Sequence, residues 1–270
     1  MINKKIGIIG GGNMGEAIFG HLSNVLEKTT MLKISEADAA RIDYLQTKYK
    51  IIVEIDNNAL VKFADIVILA VKPQAIGEIL KNEICCGMSK NKLLISLAAG
   101  VTTEYIESVV GKDIPVVRAM PNMAARIGEA VTSISPGKAA NAEDMRQAFE
   151  VFSAIGDVVE VDEKLVDAVT AVSGSGPAYF FYLAESLVEA AQKLGLDKEQ
   201  AEKLVFKTAL GSAKLLEALG EGPEALRKKV TSKGGTTEAA FTIFETKKFK
   251  DTVIDAVKAA YDRSKEISRR

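Results

Sequence analysis

The chain has 270 residues, of which 35 are basic and 36 are acidic, so its formal net charge is −1 at neutral pH. This balance gives no general attraction to nucleic acid or to an anionic membrane surface, although a small anionic ligand needs only a few local groups. The length is sufficient for two domains or for one large one. We therefore expect a globular protein whose partners include neither nucleic acid nor membrane.

The two cysteines, Cys85 and Cys86, are neighbours in the sequence. Their spacing gives neither a metal site nor a disulfide framework, and two reduced thiols are typical of a cytoplasmic protein; a vicinal redox pair is the alternative. The basic N-terminus runs directly into a glycine loop, unlike a signal peptide. The longest uncharged run, Ala168 to Ala184, is interrupted by Ser-Gly-Ser-Gly-Pro. We therefore expect no membrane span and a cytoplasmic location.

Up to residue 161, short apolar runs alternate with amphipathic stretches. Strands that alternate with helices imply parallel pairing and a doubly wound α/β sheet. Fully apolar runs, such as residues 66–71, are typical of strands that are covered on both faces. The predicted strands are Lys5–Ile9, Thr30–Ile34, Ile51–Val53, Asp65–Val71, Leu93–Ala98, Pro115–Met120, Ala130–Ile134 and Asp157–Val161.

Residues 162–270 show helical periodicity instead. Asp197 is predicted to cap a helix whose apolar residues recur with the 3.6-residue period until Gly220. Another helix is predicted from Asp251 to Ile267. The segment Ala178–Ala191 is apolar on more than one face, which is more than one domain of this size can bury, so an interface between copies of the chain is expected.

A glycine loop follows the first predicted strand and opens a helix, with the spacing Gly10-x-Gly12-x-x-Gly15. Gly10 permits the tight turn, Gly12 lets the backbone approach a pyrophosphate, and Gly15 lets helix and strand pack closely. The free N–H groups of the helix N-terminus, with Asn13 and Met14 in its first turn, then face the phosphates. A flexible turn without a ligand is the alternative. The pattern predicts that residues 1–161 form a Rossmann-type dinucleotide-binding domain.

Glu36 lies where an acid that binds the ribose 2′-hydroxyl is expected, which favours NADH because its charge repels a 2′-phosphate. Ser35, Lys33 and Arg41 are near enough in sequence to receive such a phosphate instead. Glu36 is equally well explained as a charge in the first turn of a helix. The choice between NADPH and NADH therefore stays open.

Five motifs follow one another along the chain: Leu69–Gln74, Ser96–Val101, Arg118–Asn122, Ala171–Phe181 and Thr231–Phe241. Together they resemble the Δ1-pyrroline-5-carboxylate reductase family, and the last of them is the family's signature. The resemblance spans nearly the whole chain. It implies a Rossmann domain followed by an all-α dimerisation domain, a homodimer or a larger assembly of dimers, and an active site to which the partner contributes. The implied reaction is hydride transfer from NADPH or NADH to C5 of the cyclic imine, giving L-proline.

For the signature, the resemblance implies that the amides of Gly234, Gly235 and Thr236 receive the substrate's carboxylate, with Ser232 beside them. The hydroxyl of Thr237 would reach the ring nitrogen as the catalytic hydrogen-bond donor. Consecutive glycines let several N–H groups converge on an anion, and a helix that begins at Thr236 adds its dipole. Both threonines are also expected to cap that helix.

The resemblance implies further contacts with the cofactor and the substrate. Glu163 matches an acid near the substrate's nitrogen, although it is also explained as a first-turn helix charge, and Lys72 is otherwise an ordinary solvated lysine. The cofactor-lining positions so implied are Asn57 (on the loop before a helix), Ala70, Val71, Lys72, Pro73 and Ala98.

The chain departs from the family pattern at two places. Lys233 stands where the family usually has proline, and Met123-Ala124 stands where it has Thr-Pro. A β-hydroxyacid dehydrogenase would place a catalytic lysine on the helix after Ser-Gly-Ser-Gly. That class is excluded, because the first lysine on this helix is Lys193, more than four turns on. Reduction of a related cyclic imino acid and a non-catalytic nucleotide-sensing scaffold remain the alternatives.

Overall fold

The computed structural model describes residues 2–26 and 29–268. Within them, one seven-stranded sheet has the strand order β2-β1-β3-β4-β5-β6-β7, and every neighbouring pair is parallel except β5 and β6. This confirms the predicted doubly wound α/β fold. The strands are β1 (Ile6–Ile9), β2 (Leu32–Ser35), β3 (Ile66–Leu69), β4 (Leu93–Ser96), β5 (Val116–Met120), β6 (Ala130–Pro136) and β7 (Gly156–Glu160).

The helices alternate with the strands and then follow one another without strands after residue 160. They are α1 (Asn13–Val25), α2 (Ala39–Tyr49), α3 (Asn57–Phe63), α4 (Pro73–Ile79), α5 (Thr103–Val110), α6 (Ala142–Ser153), α7 (Val166–Val169), α8 (Gly176–Lys193), α9 (Lys198–Leu219), α10 (Pro223–Lys229), α11 (Thr236–Thr246) and α12 (Phe249–Ser268). The predicted cap of α9 is confirmed, because the Asp197 carboxylate accepts a hydrogen bond from the amide of Gln200.

The central strands β1, β3, β4 and β5 are buried on both faces, which explains their apolar sequences, whereas the edge strand β7 is largely exposed. Alternate residues point to opposite faces, so Ile8 and Ile68 pack in one cluster with α1 and α6, whereas Val67 and Leu69 pack in the other with α3 to α5. The carboxyl ends of the parallel strands β1, β3 and β4 therefore lie together at one edge, between two helical layers.

Three local predictions were wrong. Residues 51–53 do not form a strand; only Glu54, the next residue, makes an isolated bridge, to Ser35 beside the sheet edge. The apolar pattern reflects side-chain burial, since Val53 is buried and Ile51 packs against the core, and not backbone pairing. β6 runs antiparallel to β5, because residues 121–129 form only a short 3₁₀ connection and a parallel return needs a longer crossover. Asn57 is the first residue of α3 instead of a loop residue.

The chain divides into two compact units, which we describe separately. The first consists of the residues up to Ser175 together with the segment from Ala260 onward, and the second is Gly176–Ala259. The helix α12 contributes to both. The domain limits proposed from the sequence, 1–161 and 162–270, remain a prediction.

The second unit has almost no core of its own. Among its described residues only Gly176 and Ala201 are buried, whereas Phe180 and Tyr182 are 73% and 72% exposed. Large apolar side chains at such exposure indicate a face that another molecule covers. Among the described residues, no helix combines the length and the apolarity that a membrane span requires.

Candidate active site

The glycine loop connects β1 to α1 at the carboxyl edge of the sheet. Gly10 has φ of +101°, a conformation that other residues rarely adopt, and a Cβ on Gly15 would overlap the Gly10 carbonyl oxygen. A Cβ on Gly12, by contrast, would meet no atom within 4 Å, and no side chain caps the first turn of α1, which begins with Asn13 and Met14. The N–H groups of that turn therefore face open space, and the loop fits a dinucleotide pyrophosphate.

Glu36 follows β2 and is fixed beside this loop. Its Oε2 accepts a hydrogen bond from the Gly11 amide at 2.8 Å, and its Oε1 accepts from the amides of Ala37 and Asp38 at 2.7 and 3.0 Å. The carboxylate thus lies between the glycine loop and the start of α2. This is the place from which an acid reaches the adenosine ribose in a Rossmann fold.

Ser35 and Asn57 are joined in a chain of hydrogen bonds that crosses the same edge. The Ser35 hydroxyl donates to Asn57 Oδ1 at 2.6 Å, and Asn57 Nδ2 donates to Glu83 Oε2 at 2.6 Å. The structure therefore brings together two residues that the sequence assigned to the cofactor, and it adds Glu83, which the sequence analysis missed.

The predicted cofactor-lining residues after β3 and β4 also lie at this edge. Ala70 donates its amide to the Ile9 carbonyl at 2.8 Å, and a Cβ on Gly10 would contact the Ala70 carbonyl oxygen, so the segment adjoins the glycine loop. Val71 follows it, Lys72 is the N-cap of α4 and Pro73 is its first residue. Ala98 is buried just after β4.

A cluster of charged and tyrosine side chains, which the sequence analysis did not predict, surrounds Glu16 in the first turn of α1. Its carboxylate accepts hydrogen bonds from Arg41, from Lys48 at 2.7 Å, and from the hydroxyls of Tyr44 and Tyr49 at 3.1 and 3.2 Å. Burial raises the pKa of Glu16, but the hydrogen bonds from Lys48, Arg41 and Tyr44 outweigh it and lower that pKa to about 2. The spacing of Arg41, Tyr44 and Lys48 along one face of α2 was the available sequence signal.

Glu163 lies in a 3₁₀ turn before α7 and is bound by protein groups of the first unit. It accepts hydrogen bonds from the amide and hydroxyl of Thr103, at 2.8 and 2.6 Å, and from Arg118 Nη1 at 3.3 Å. Arg118 is buried on β5 and was quoted from the sequence only as part of a motif. Glu163 is therefore fixed at the N-terminus of α5, and its contact with the substrate stays a prediction.

The signature loop lies in the second unit. Gly234 has φ of +72° and donates its amide to Glu238 Oε2 at 2.7 Å, while Gly235 donates to the Ser232 carbonyl at 3.0 Å. The predicted start of α11 at Thr236 is confirmed. The expectation that Thr236 and Thr237 cap this helix was wrong: Gly235 is the N-cap and makes no side-chain cap, because both threonines already lie inside the first turn.

The chain is similar to known proteins over nearly its whole length. It is 40% identical to a pyrroline-5-carboxylate reductase of Synechocystis over 98% of this chain and 99% of that protein, and 40% identical to one of Methanosarcina acetivorans over the full length of both. The chain belongs to the pyrroline-5-carboxylate reductase family. Residues 163–267 match the family description "Pyrroline-5-carboxylate reductase dimerisation", and residues 5–100 match "NADP oxidoreductase coenzyme F420-dependent".

Solved structures of this reductase family agree with the fold. The pyrroline-5-carboxylate reductase of Coxiella burnetii superposes with a TM-score of 0.92 at 35% identity, covering 99% of both chains. The Plasmodium falciparum enzyme, solved with NADP bound, gives a TM-score of 0.89 at 32% identity over 99% of both chains. The recognition of the family from its five motifs is thereby confirmed.

Proposed function

We propose that this protein reduces Δ1-pyrroline-5-carboxylate to L-proline with a reduced nicotinamide dinucleotide, NADPH or NADH. The observation that supports it is the open glycine loop at the carboxyl edge of the sheet, in a chain whose full-length relatives are pyrroline-5-carboxylate reductases. The dinucleotide supplies the hydride when it is bound. The residues of this chain bind, align and polarise the reactants.

The cofactor would lie along the edge formed by the glycine loop and the segments after β2, β3 and β4. Gly10, Gly12 and Gly15, with Asn13 and Met14, would hold the pyrophosphate, while Ser35, Glu36 and Asn57 would face the adenosine end. The segment Ala70–Pro73 and Ala98 would line the nicotinamide side. All of these residues belong to the first unit and border its glycine loop or the ends of its parallel strands.

The signature loop would bind the substrate. Amides of Gly234, Gly235 and Thr236, beside Ser232, are suited to its carboxylate, and Gly234 already binds a carboxylate, that of Glu238. The substrate would displace that side chain, which is exposed. Thr237 would donate its hydroxyl to the ring nitrogen, since a hydrogen-bonded or protonated imine accepts hydride more readily than a free one.

A homodimer would complete the second unit. Its buried residues are so few that its helices need a covering surface, and residues 163–267 match a dimerisation family. A second copy of the same chain supplies a self-complementary face. Association of dimers into a larger assembly, and a cytoplasmic location, are further parts of the proposal.

The test is oxidation of NADH and of NADPH on addition of Δ1-pyrroline-5-carboxylate, followed by the loss of absorbance of the reduced nicotinamide. We expect turnover by the native chain, and at least about a tenfold lower kcat in Thr237→Ala with cofactor binding retained, because one hydrogen bond to a developing charge is lost. Thr237→Ser, which keeps the hydroxyl, is the matched control. Cofactor binding without turnover on this imine would indicate another cyclic imino acid or a nucleotide-sensing scaffold.

A further inference from the structure

The carboxylate of Glu36 would repel a phosphate bound at the adenosine ribose. NADPH differs from NADH by a 2′-phosphate, which a Rossmann site accepts only with a nearby cation or several donors. Glu36 accepts hydrogen bonds from three backbone amides, which fix the position of its carboxylate. A phosphate placed there would meet a like charge at close range.

Two of the groups that could offset this charge are used elsewhere. The Ser35 hydroxyl donates its proton to Asn57, and Asn57 in turn is bound to Glu83. The Lys33 ammonium lies 3.8 Å from the Glu54 carboxylate and 4.8 Å from the centre of the Phe63 ring. The Ser35 hydroxyl is therefore committed to Asn57, and the charge of Lys33 is already opposed by Glu54.

Arg41 is the remaining cation, and it lies directly beside the glycine loop. Its Nε donates to the Gly11 carbonyl at 2.5 Å, and Gly11 is also the residue whose amide binds Glu36. Its terminal nitrogen, however, forms an ion pair with Glu16, and its guanidinium lies over the Tyr44 ring at 4.7 Å. The Arg41 guanidinium thus lies beside the glycine loop but is directed toward Glu16 on α1.

Glu16 is well suited to retain Arg41. Its side chain is only 14% exposed, and Lys48 and two tyrosine hydroxyls bind the same carboxylate. Glu16 stays charged at neutral and mildly acidic pH, because its burial is outweighed by hydrogen bonds from Lys48, Arg41 and Tyr44, which lower its pKa to about 2. Releasing Arg41 would leave this carboxylate short of one partner in a partly buried site.

We propose that Glu16 determines the cofactor preference of this chain: by binding Arg41 it leaves Glu36 unopposed, and the site selects NADH over NADPH. The inference deepens the proposed function, since it concerns the dinucleotide of that same site. Glu16 acts through Arg41 and is a positioning residue. Its effect appears in the ratio of the two cofactor affinities.

The experiment measures the dissociation constants of NADH and NADPH by the fluorescence change of the reduced nicotinamide, without imine substrate. We expect the native chain to bind NADH at least about tenfold more tightly than NADPH. A difference of this size corresponds to about one charged interaction, which the 2′-phosphate of NADPH lacks at this site. In Glu16→Gln the released Arg41 should bring the ratio about tenfold toward NADPH. Glu143→Gln removes an arginine-paired carboxylate on α6, away from the loop, and should leave the ratio unchanged.

A double-variant comparison separates positioning from a general charge effect. If Glu16 acts through Arg41, then Glu16→Gln changes the ratio in the native background but has no such effect when Arg41→Ala is already present. An equal effect in both backgrounds would overturn the proposal, as would a native preference for NADPH or an unchanged ratio in Glu16→Gln. Glu16→Asp keeps the charge but shortens the reach; it should give a smaller change of the same sign and serves if Glu16→Gln does not fold.

The two proposals fail in different ways. A chain that binds NADH selectively but does not reduce the imine would refute the proposed reaction and leave the role of Glu16 intact. A chain that reduces the imine with either cofactor equally well would refute the role of Glu16 alone. Absence of binding by both cofactors would refute both.

Discussion

Replacing Glu163 with alanine should destabilise the first unit through Arg118. The Arg118 side chain is 4% exposed, and within the described chain its Nε and Nη2 have no hydrogen-bond partner. Its Nη1 lies 3.3 Å from Glu163 Oε1, so this carboxylate compensates a buried charge. The same carboxylate binds the amide and hydroxyl of Thr103 at the start of α5.

The size of the effect follows from this arrangement. Breaking a buried ion pair by removing one partner costs about 3–5 kcal/mol because the other charge stays buried and unpaired. Glu163 is itself 25% exposed, which lets water approach the vacated space and places the expected loss of unfolding free energy near the lower limit. We expect about 3 kcal/mol for Glu163→Ala. The pair Arg118→Met with Glu163→Ala should cost less than Glu163→Ala alone, since no charge is then left buried.

Urea unfolding followed by far-ultraviolet circular dichroism, at one protein concentration, measures these differences. Hydrogen exchange of β5 peptides reports the same loss locally. Glu104→Ala is the matched control, because Glu104 pairs with Lys138 on the surface, where an ion pair contributes at most about 1 kcal/mol.

Two results would refute this reasoning. One is a stability of Glu163→Ala within about 1 kcal/mol of the native chain, which is the range of a surface pair. The other is a double variant that is as unstable as Glu163→Ala. A raised KM for the imine in a fully stable Glu163→Ala would instead support its predicted contact with the substrate.

Further outcomes follow from other sites. Gly12→Ala should weaken cofactor binding about tenfold or more with little loss of stability, because its Cβ enters the open space over the loop. Gly15→Ala should instead lower the free energy of unfolding by about 1–3 kcal/mol, because its Cβ collides with the Gly10 carbonyl. Cofactor titration and urea unfolding distinguish the two effects. The pKa of Glu16 is lowered from 4.5 to about 2, so its contribution to folding stability is complete above pH 4.5 and is lost as the pH falls toward 2. The free energy of unfolding of Glu16→Gln should therefore depend less on acid pH than that of the native chain. Equal pH profiles of the two proteins would contradict the ion cluster. Phe180→Asp should lower the dimer fraction in light scattering, and an unchanged mass would show that this face is not the interface.

The fold was largely predictable because its signals are local. Buried parallel strands have apolar sequences, and the helices from α9 to α12 follow a clear 3.6-residue period with a recognisable cap at Asp197. The error at Ile51–Val53 arose because their apolar pattern reports that Ile51 and Val53 pack against the core, which does not require their backbone to pair with a neighbouring strand. The reversed direction of β6 depended on the length of its connection, which the pattern of apolar residues does not report.

The candidate site was predictable where spacing along the chain determines it, as in the glycine loop. The partners of its side chains were not. Arg41 was a candidate for the ribose phosphate until the fold placed it against Glu16, 25 residues earlier in the chain. Glu163 and Arg118 are 45 residues apart, and no periodicity links a turn residue to the middle of a distant strand. Such pairings arise from tertiary packing alone.

The return of the final helix to the first unit has a consequence for biosynthesis. The segment from Ala260 onward belongs to that unit, where Ser264 and Ser268 donate hydrogen bonds to Asp167, and Ile267 occupies the space beside Gly100. On the ribosome, the nucleotide-binding half emerges early yet cannot complete its structure until residues 260–268 have been translated. Loss of residues 260–268 would therefore damage the part of the enzyme that is made first.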